Sequence, residues 1–183
     1  MTSPAVAPLR TALSGLAATF ALAMPACAEA PSYCGADESI IFSCDLGSHT
    51  ASVCASRDSG PGEASLQYRF GHLDKVLVNY PPEGTPPGAV FSSGMISYPA
   101  GASIWLRFTR EAVRSTVFIA VGDWIPGRVD LIGGIVTETG GKPPEVMACR
   151  GKPTYDMHMT FFREIGITEG GEFELPAEVI PKK

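Results

Sequence analysis

The chain has 183 residues, 45% apolar and 18% charged, with 14 basic against 19 acidic residues and a formal net charge of −5. Ordinary apolar content and modest charge exclude wholesale disorder, and the acidic balance leaves no electrostatic footprint for nucleic acid. The length fits one domain of about 100–200 residues, and the 20 Gly and 16 Pro promise many turns.

The first element is a leader. Residues 1–10 carry one charge, Arg10, and Ala12–Met24 is a 13-residue run of mostly small apolar side chains. Pro25 and Ala26-Cys27-Ala28 follow. A charged start, a short apolar core and a small-residue cleavage site make up a secretory signal peptide. The run falls short of the roughly 20 residues that a spanning helix needs. The expectation is a signal peptide helix over residues 1–28, cleaved after Ala28, delivering the protein to the periplasm or the medium without a transmembrane segment. Cleavage removes Arg10 alone among the charged residues, leaving 13 basic against 19 acidic, a net −6. The rival is lipoprotein anchoring through Cys27, which Met24 and Pro25 fit badly.

Four cysteines then remain, Cys34, Cys44, Cys54 and Cys149, with spacings of 10, 10 and 95. An even number in an exported chain points to two disulfides, and such spacings do not cluster as zinc ligands do. Ile40–Ser56 reads as a hairpin around Gly47-Ser48, a two-residue type II′ signal. That register sets Cys44 opposite Ala51 and Ile41 opposite Cys54. Side chains alternate faces, so Cys44 and Cys54 point to opposite sides of the ribbon unless a bulge or longer loop intervenes. The favoured pairing is Cys34–Cys54 and Cys44–Cys149.

Strand patterns fill the body. Leu66–Phe70 alternates cleanly, and Lys75–Tyr80 aligns Val76, Val78 and Tyr80. The stretch 81–88 holds four prolines and reads as a long loop. Val90–Tyr98, Ser103–Thr109, Ser115–Val121, Val129–Glu138 and Val146–Cys149 complete the set, with Gly133-Gly134 marking a bulge or bend. Ile104, Leu106 and Phe108 face inward. Trp105 and Arg107 face outward and form a candidate binding patch, set against the plainer reading of a strand covered on both sides. Trp124-Ile125, in a loop bounded by glycines, is a second candidate, since tryptophan is enriched at contact hot spots. No capped helical stripe follows residue 30. The prediction is an all-β fold, a small antiparallel β-barrel or sandwich of about 8–9 strands. It occupies residues 29–163, ahead of an acidic segment at 164–183. That segment holds five Glu between 164 and 178 and no basic residue there, and reads as a solvated end carrying one more edge strand near Phe173.

Chemistry is sparse. His49, His72 and His158 occur without a nucleophile-elbow pattern, and Gly140-Gly141-Lys142-Pro143 is a turn rather than a phosphate loop. Met157-His158-Met159 offers thioether and imidazole ligands of the kind copper takes, but core methionines are the better reading. No cofactor, metal or catalytic set is assigned. The expected function is a non-catalytic exported binding module for a protein or cell-envelope ligand. The alternative is a periplasmic hydrolase or metal-handling protein using His158.

The pieces FSC (42–44), SVCAS (52–56), YRFG (68–71) and a late MAC (147–149) resemble a group of secreted bacterial proteins without an assigned activity. That resemblance implies export and β structure over residues 34–151. Phe42-Ser43-Cys44-Asp45 together with Cys149 is also distantly similar to the periplasmic and membrane-bound inhibitors of c-type lysozyme. Those are small β-barrels with an early strand bridged to a late cysteine, and an acidic surface suits basic lysozymes. This chain is longer and has two extra cysteines. The inhibitors' Ser-Gly-x-x-Tyr loop is only loosely echoed by Ser93–Tyr98, so no inhibitory residue carries across.

Overall fold

Runs that alternate apolar and polar side chains bury one face each, and such strands must find a second layer. The computed structural model describes residues 31–57, 64–72 and 74–182. The leader and Cys27 readings lie outside them. Four strands come first: β1 (Glu38–Asp45), β2 (Thr50–Ser56), β3 (Leu66–His72) and β4 (Lys75–Tyr80), an antiparallel meander. Five more form a second meander: β5 (Phe91–Tyr98), β6 (Gly101–Arg110), β7 (Val113–Ile125), β8 (Arg128–Thr139) and β9 (Glu145–Ala148). The chain then revisits both sheets. β10 (Thr154–Tyr155) pairs antiparallel with β1, a helix α1 (Met159–Glu164) follows, and β11 (Thr168–Glu169) runs parallel to β5.

The sheet orders are β10-β1-β2-β3-β4 and β11-β5-β6-β7-β8-β9. The fold is all-β, but the sheets do not close into a barrel: β4 and β9 remain the edges of separate sheets. Eleven strands replace the expected eight or nine because β10 and β11 are two residues each, too short to show a period. The helix escaped the sequence reading for the same reason, at six residues.

Between the sheets, Phe42, Val53, Leu66 and Tyr68 of the first meet Leu106, Phe108, Val117, Ile119 and Ile135 of the second. The register sets Cys44 opposite Ala51, and a bulge between Ile40 and Phe42 leaves Ile41 unpaired and Cys54 opposite Ile40. Both Ile41 and Phe42 are buried, so the bulge turns two consecutive apolar side chains out of solvent. Cys44 and Cys54 stay on opposite faces. Cys44 bonds to Cys149 and Cys34 to Cys54. The first bridge joins β1 to the residue after β9 and so ties one sheet to the other. The second lies on the far side of the first sheet, where Pro31–Cys34 crosses it. There the Pro31 carbonyl accepts from Ser43 Oγ at 2.7 Å, and the Tyr33 N–H donates to Ser52 Oγ at 3.0 Å.

Gly133-Gly134 is not a bulge. Register runs straight through it, from Ile119 opposite Gly133 to Phe118 opposite Gly134. These positions are small because neighbours crowd them: a Cβ on Gly134 would stand 2.4 Å from the Met147 carbonyl oxygen. Gly94 in β5 is tighter still, with Trp105 Cζ2 only 2.3 Å from such a Cβ. Gly94→Ala is expected to cost about 1–3 kcal/mol through overpacking, read as a lower urea midpoint at unchanged m-value.

Candidate binding surface

Two of the three histidines lie close together. At the β1–β2 turn Ser48 Oγ lies 2.9 Å from His49 Nδ1, a contact between chain neighbours. The His49 ring stacks on Phe70 at 4.8 Å and meets His72 at 4.4 Å. His72 Nδ1 sits 2.9 Å from the Ser48 carbonyl oxygen. Among the described residues no carboxylate orients either ring, as a hydrolytic triad requires. Met157-His158-Met159 is not a strand. It straddles the start of α1, where His158 is the N-cap and its Nδ1 accepts from the Phe161 N–H at 3.1 Å. The flanking Met157 and Met159 pack into the main core. His158→Ala is therefore expected to lower stability by only about 0.5–2 kcal/mol, as loss of a cap does, measured by urea unfolding. Cys34, Glu38 and Cys54 also converge, but the two sulfurs are bonded to each other and supply no thiolate.

One ion pair has a pH consequence. Arg69 donates to both carboxylate oxygens of Glu38, at 2.5 and 2.8 Å, and the Gly35 N–H adds a third bond at 2.7 Å. Burial pushes the Glu38 carboxyl up, but the guanidinium and the amide outweigh it and hold the group below its ordinary 4.5. A carboxylate depressed in the folded state adds stability above its unfolded pKa, and this is lost as pH falls through the folded value. Glu38→Gln is expected to flatten the loss of stability below pH 4.5, in urea titrations from neutral to acid pH.

Of the patch expected at Trp105 and Arg107, Trp105 is buried and Arg107 half-buried. Their strand does turn them outward, but Trp105 is 2% exposed. The C-terminal residues cover it. Phe173 and Leu175 are buried against Trp105, Phe118, Ala120 and Val136, with Val179 and Ile180 packed alongside. Arg107 lies over the Trp105 ring at 4.6 Å, donates from Nε to Thr116 Oγ1 at 2.9 Å, and from Nη2 to the Glu172 carbonyl at 3.0 Å. The acidic end is thus no solvated tail: its glutamates face out while the residues between them form a second core. Trp124 and Ile125 belong to β7 rather than to a loop, and both are half-buried. Trp124 packs against the second core, beside Gly122.

Exposed apolar surface lies elsewhere. The strands of the second sheet reach 10, 13 and 12 residues in β6, β7 and β8, against six to eight in β1 to β4. Its inner face therefore continues past the first sheet. Met95 pairs with Ile104, and Ala102 with Val121, which pairs in turn with Leu131. Met95, Val121 and Val129 are 63, 39 and 73% exposed. Together with half-buried Ala102, Ile104 and Leu131 they make an apolar ledge. Its residues follow the same alternation as the core, so nothing in sequence distinguishes them from buried ones.

An open groove of ≈ 560 Å³ also runs beside Arg107, Arg114 and the covering residues Phe173 and Leu175. The cleft between the sheets near Tyr68, Phe70 and Met147 measures ≈ 180 Å³, below the roughly 300–1,000 Å³ of ligand sites. The larger groove of ≈ 570 Å³ beside Tyr33 is lined by Glu38 and Arg69, which already satisfy each other. No helix among the described residues is long and apolar enough to cross a membrane. No protein-family model matches the chain, and no curated protein or solved structure matches it.

Proposed function

We propose that the chain is a non-catalytic binding module of an exported, oxidising compartment. It engages a basic protein, in the manner of the inhibitors of c-type lysozyme that its early strand and late cysteine resemble. The ledge of Met95, Val121 and Val129 carries this reading. Apolar side chains left open at the end of a disulfide-tied scaffold are a contact surface held rigid before binding, which reduces the entropy lost on association. The net charge of −5 favours a basic partner by steering its approach. Two intramolecular disulfides are consistent with the oxidising location.

The test is inhibition of a panel of c-type lysozymes by the purified domain, residues 29–183, at micromolar concentration. The expected result is inhibition that weakens at least about tenfold in Val121→Lys/Val129→Lys, with the urea midpoint held. A panel left fully active discards the inhibitor reading. Inhibition unchanged in the double variant discards the ledge as its contact.

A further inference from the structure

Sheet edges expose rows of unpaired backbone donors and acceptors, and proteins blunt them with charge, proline, bulges or cover. Three of the four edges here are blunted. β4 begins with Lys75, faces a bulge at Phe70/Gly71 and ends at Pro81-Pro82. β9 begins with Glu145 after Pro143-Pro144, and β10 is two residues long. The fourth edge is different. β11 covers β5 only at Ser92 and Ser93, leaving Gly94–Tyr98 without a neighbour on that side among the described residues.

That open half carries no charge, no proline and no bulge, and the whole stretch 91–106 lacks a charged residue. Its backbone orientation follows from one bond. The Gly170 N–H donates to the Ser93 carbonyl at 3.1 Å, so the backbone groups of Ser93 face the edge. Alternation then aims the N–H and C=O of Met95 and Ser97 the same way. Those of Gly94, Ile96 and Tyr98 face β6.

We infer that this edge pairs with the same edge of a second copy, joining two second sheets into one continuous sheet across a two-fold axis. The window itself selects the register. β11 closes it at Ser93 and Pro99 ends it, so five residues are free and Ile96 is the middle one. Antiparallel pairing centred on Ile96 sets Met95 opposite Ser97 of the second copy and Ser97 opposite its Met95. All four outward backbone groups on each copy are then used. Ile96 faces its own symmetry mate, and at 37% exposure it has apolar surface to bury there. A self-pairing strand of this kind is the isologous contact of a dimer. Charge points to the same place. Each copy carries a net −5, and two like-charged molecules approach most readily along an uncharged strip.

Sedimentation of the full domain over a range of concentrations reads this directly. The expected result is a mass that rises from monomer to twice that value. Ser97→Pro removes an edge-facing N–H without touching the pairing to β6, and is expected to keep the protein monomeric throughout. A wild-type protein that stays monomeric at every concentration overturns the proposal. So does a Ser97→Pro variant that dimerises as the wild type does. Ile96→Cys tests the register. Opposed residues of a non-hydrogen-bonded pair stand about 4.5 Å apart at Cα, within disulfide reach. Oxidation is expected to give a dimer linked through residue 96, while Val76→Cys, on the blunted edge, gives none. Equal cross-linking of the two variants, or cross-linking of Ile96→Cys only to other proteins, overturns the second copy as the occupant.

Discussion

Replacing Cys44 and Cys149 together by alanine is expected to remove about 4.7 kcal/mol of folding stability by the chain-entropy relation. The bridge closes 105 residues, so the unfolded chain it constrains is most of the described molecule. Cys34 and Cys54 are separated by 20 residues, and the same relation gives about 3.3 kcal/mol for their joint replacement. Position adds to the contrast. Cys44 is fully buried in the core between the sheets, whereas Cys34 fastens a crossing segment to one outer face. Typical domains hold about 5–15 kcal/mol in all, so the first variant lies near the threshold of unfolding and the second above it. Urea titration of the two double variants measures this, with a larger m-value expected in the Cys44/Cys149 variant because its unfolded state expands further. Equal losses from the two bridges would show that residual structure in the unfolded chain, not loop length, sets their worth.

Deleting residues 172–183 is expected to cost roughly 3–6 kcal/mol, from re-exposing two large side chains at about 1.5–3 kcal/mol each. Those side chains are Phe173 and Leu175, 7 and 6% exposed. Their removal also uncovers Trp105 and Phe118 on the outer face of the second sheet and leaves Arg107 without the Glu172 carbonyl. The chain has two tryptophans, and both contact this second core. Intrinsic fluorescence therefore reports on it without a label. The truncated chain is expected to emit at longer wavelength and to be quenched more readily by acrylamide, with the urea midpoint lowered. The full-length Phe173→Ala variant should lose about 3–5 kcal/mol, as large aromatic deletions in cores do. Unchanged emission after truncation would mean that the segment does not cover Trp105 in solution.

Much of the fold is legible because burial on one face leaves a period of two. The runs at 66–70, 75–80 and 103–109 became β3, β4 and β6 with Leu106 and Phe108 inward as alternation requires. Register spoke against a Cys44–Cys54 bridge, and it held because the bulge at Ile41 lies beyond the Phe42–Val53 pair and leaves the two cysteines on opposite faces. Of the two pairings that remained, the favoured one is present. Periodicity does not say what lies over an outward face. Trp105 and Arg107 point outward as read, yet Phe173 covers Trp105 and the Glu172 carbonyl holds Arg107 from 65 or more residues away in sequence, and no local pattern carries that distance. Glutamates masked the covering segment, since Glu172, Glu174 and Glu178 alternate with the apolar residues that anchor it. The ledge shows the opposite failure. Val121 and Val129 look like core and are open because the first sheet is shorter than the second.

The late strands also fix a timetable. β10 lies beside β1 and β11 beside β5, so the opening strand of each meander receives its outer neighbour only from residues 154–169. Cys149 sits just before them and completes the bridge between the sheets. A chain emerging from its N-terminus therefore shows two unguarded strand margins for almost its whole passage. The bridge becomes possible at Cys149, but both margins stay open until residues 154–169 follow. A premature stop shortly after residue 150 is expected to leave both meanders present, with the margin of β1 bare and that of β5 open along its whole length rather than over Gly94–Tyr98 alone, and so to aggregate.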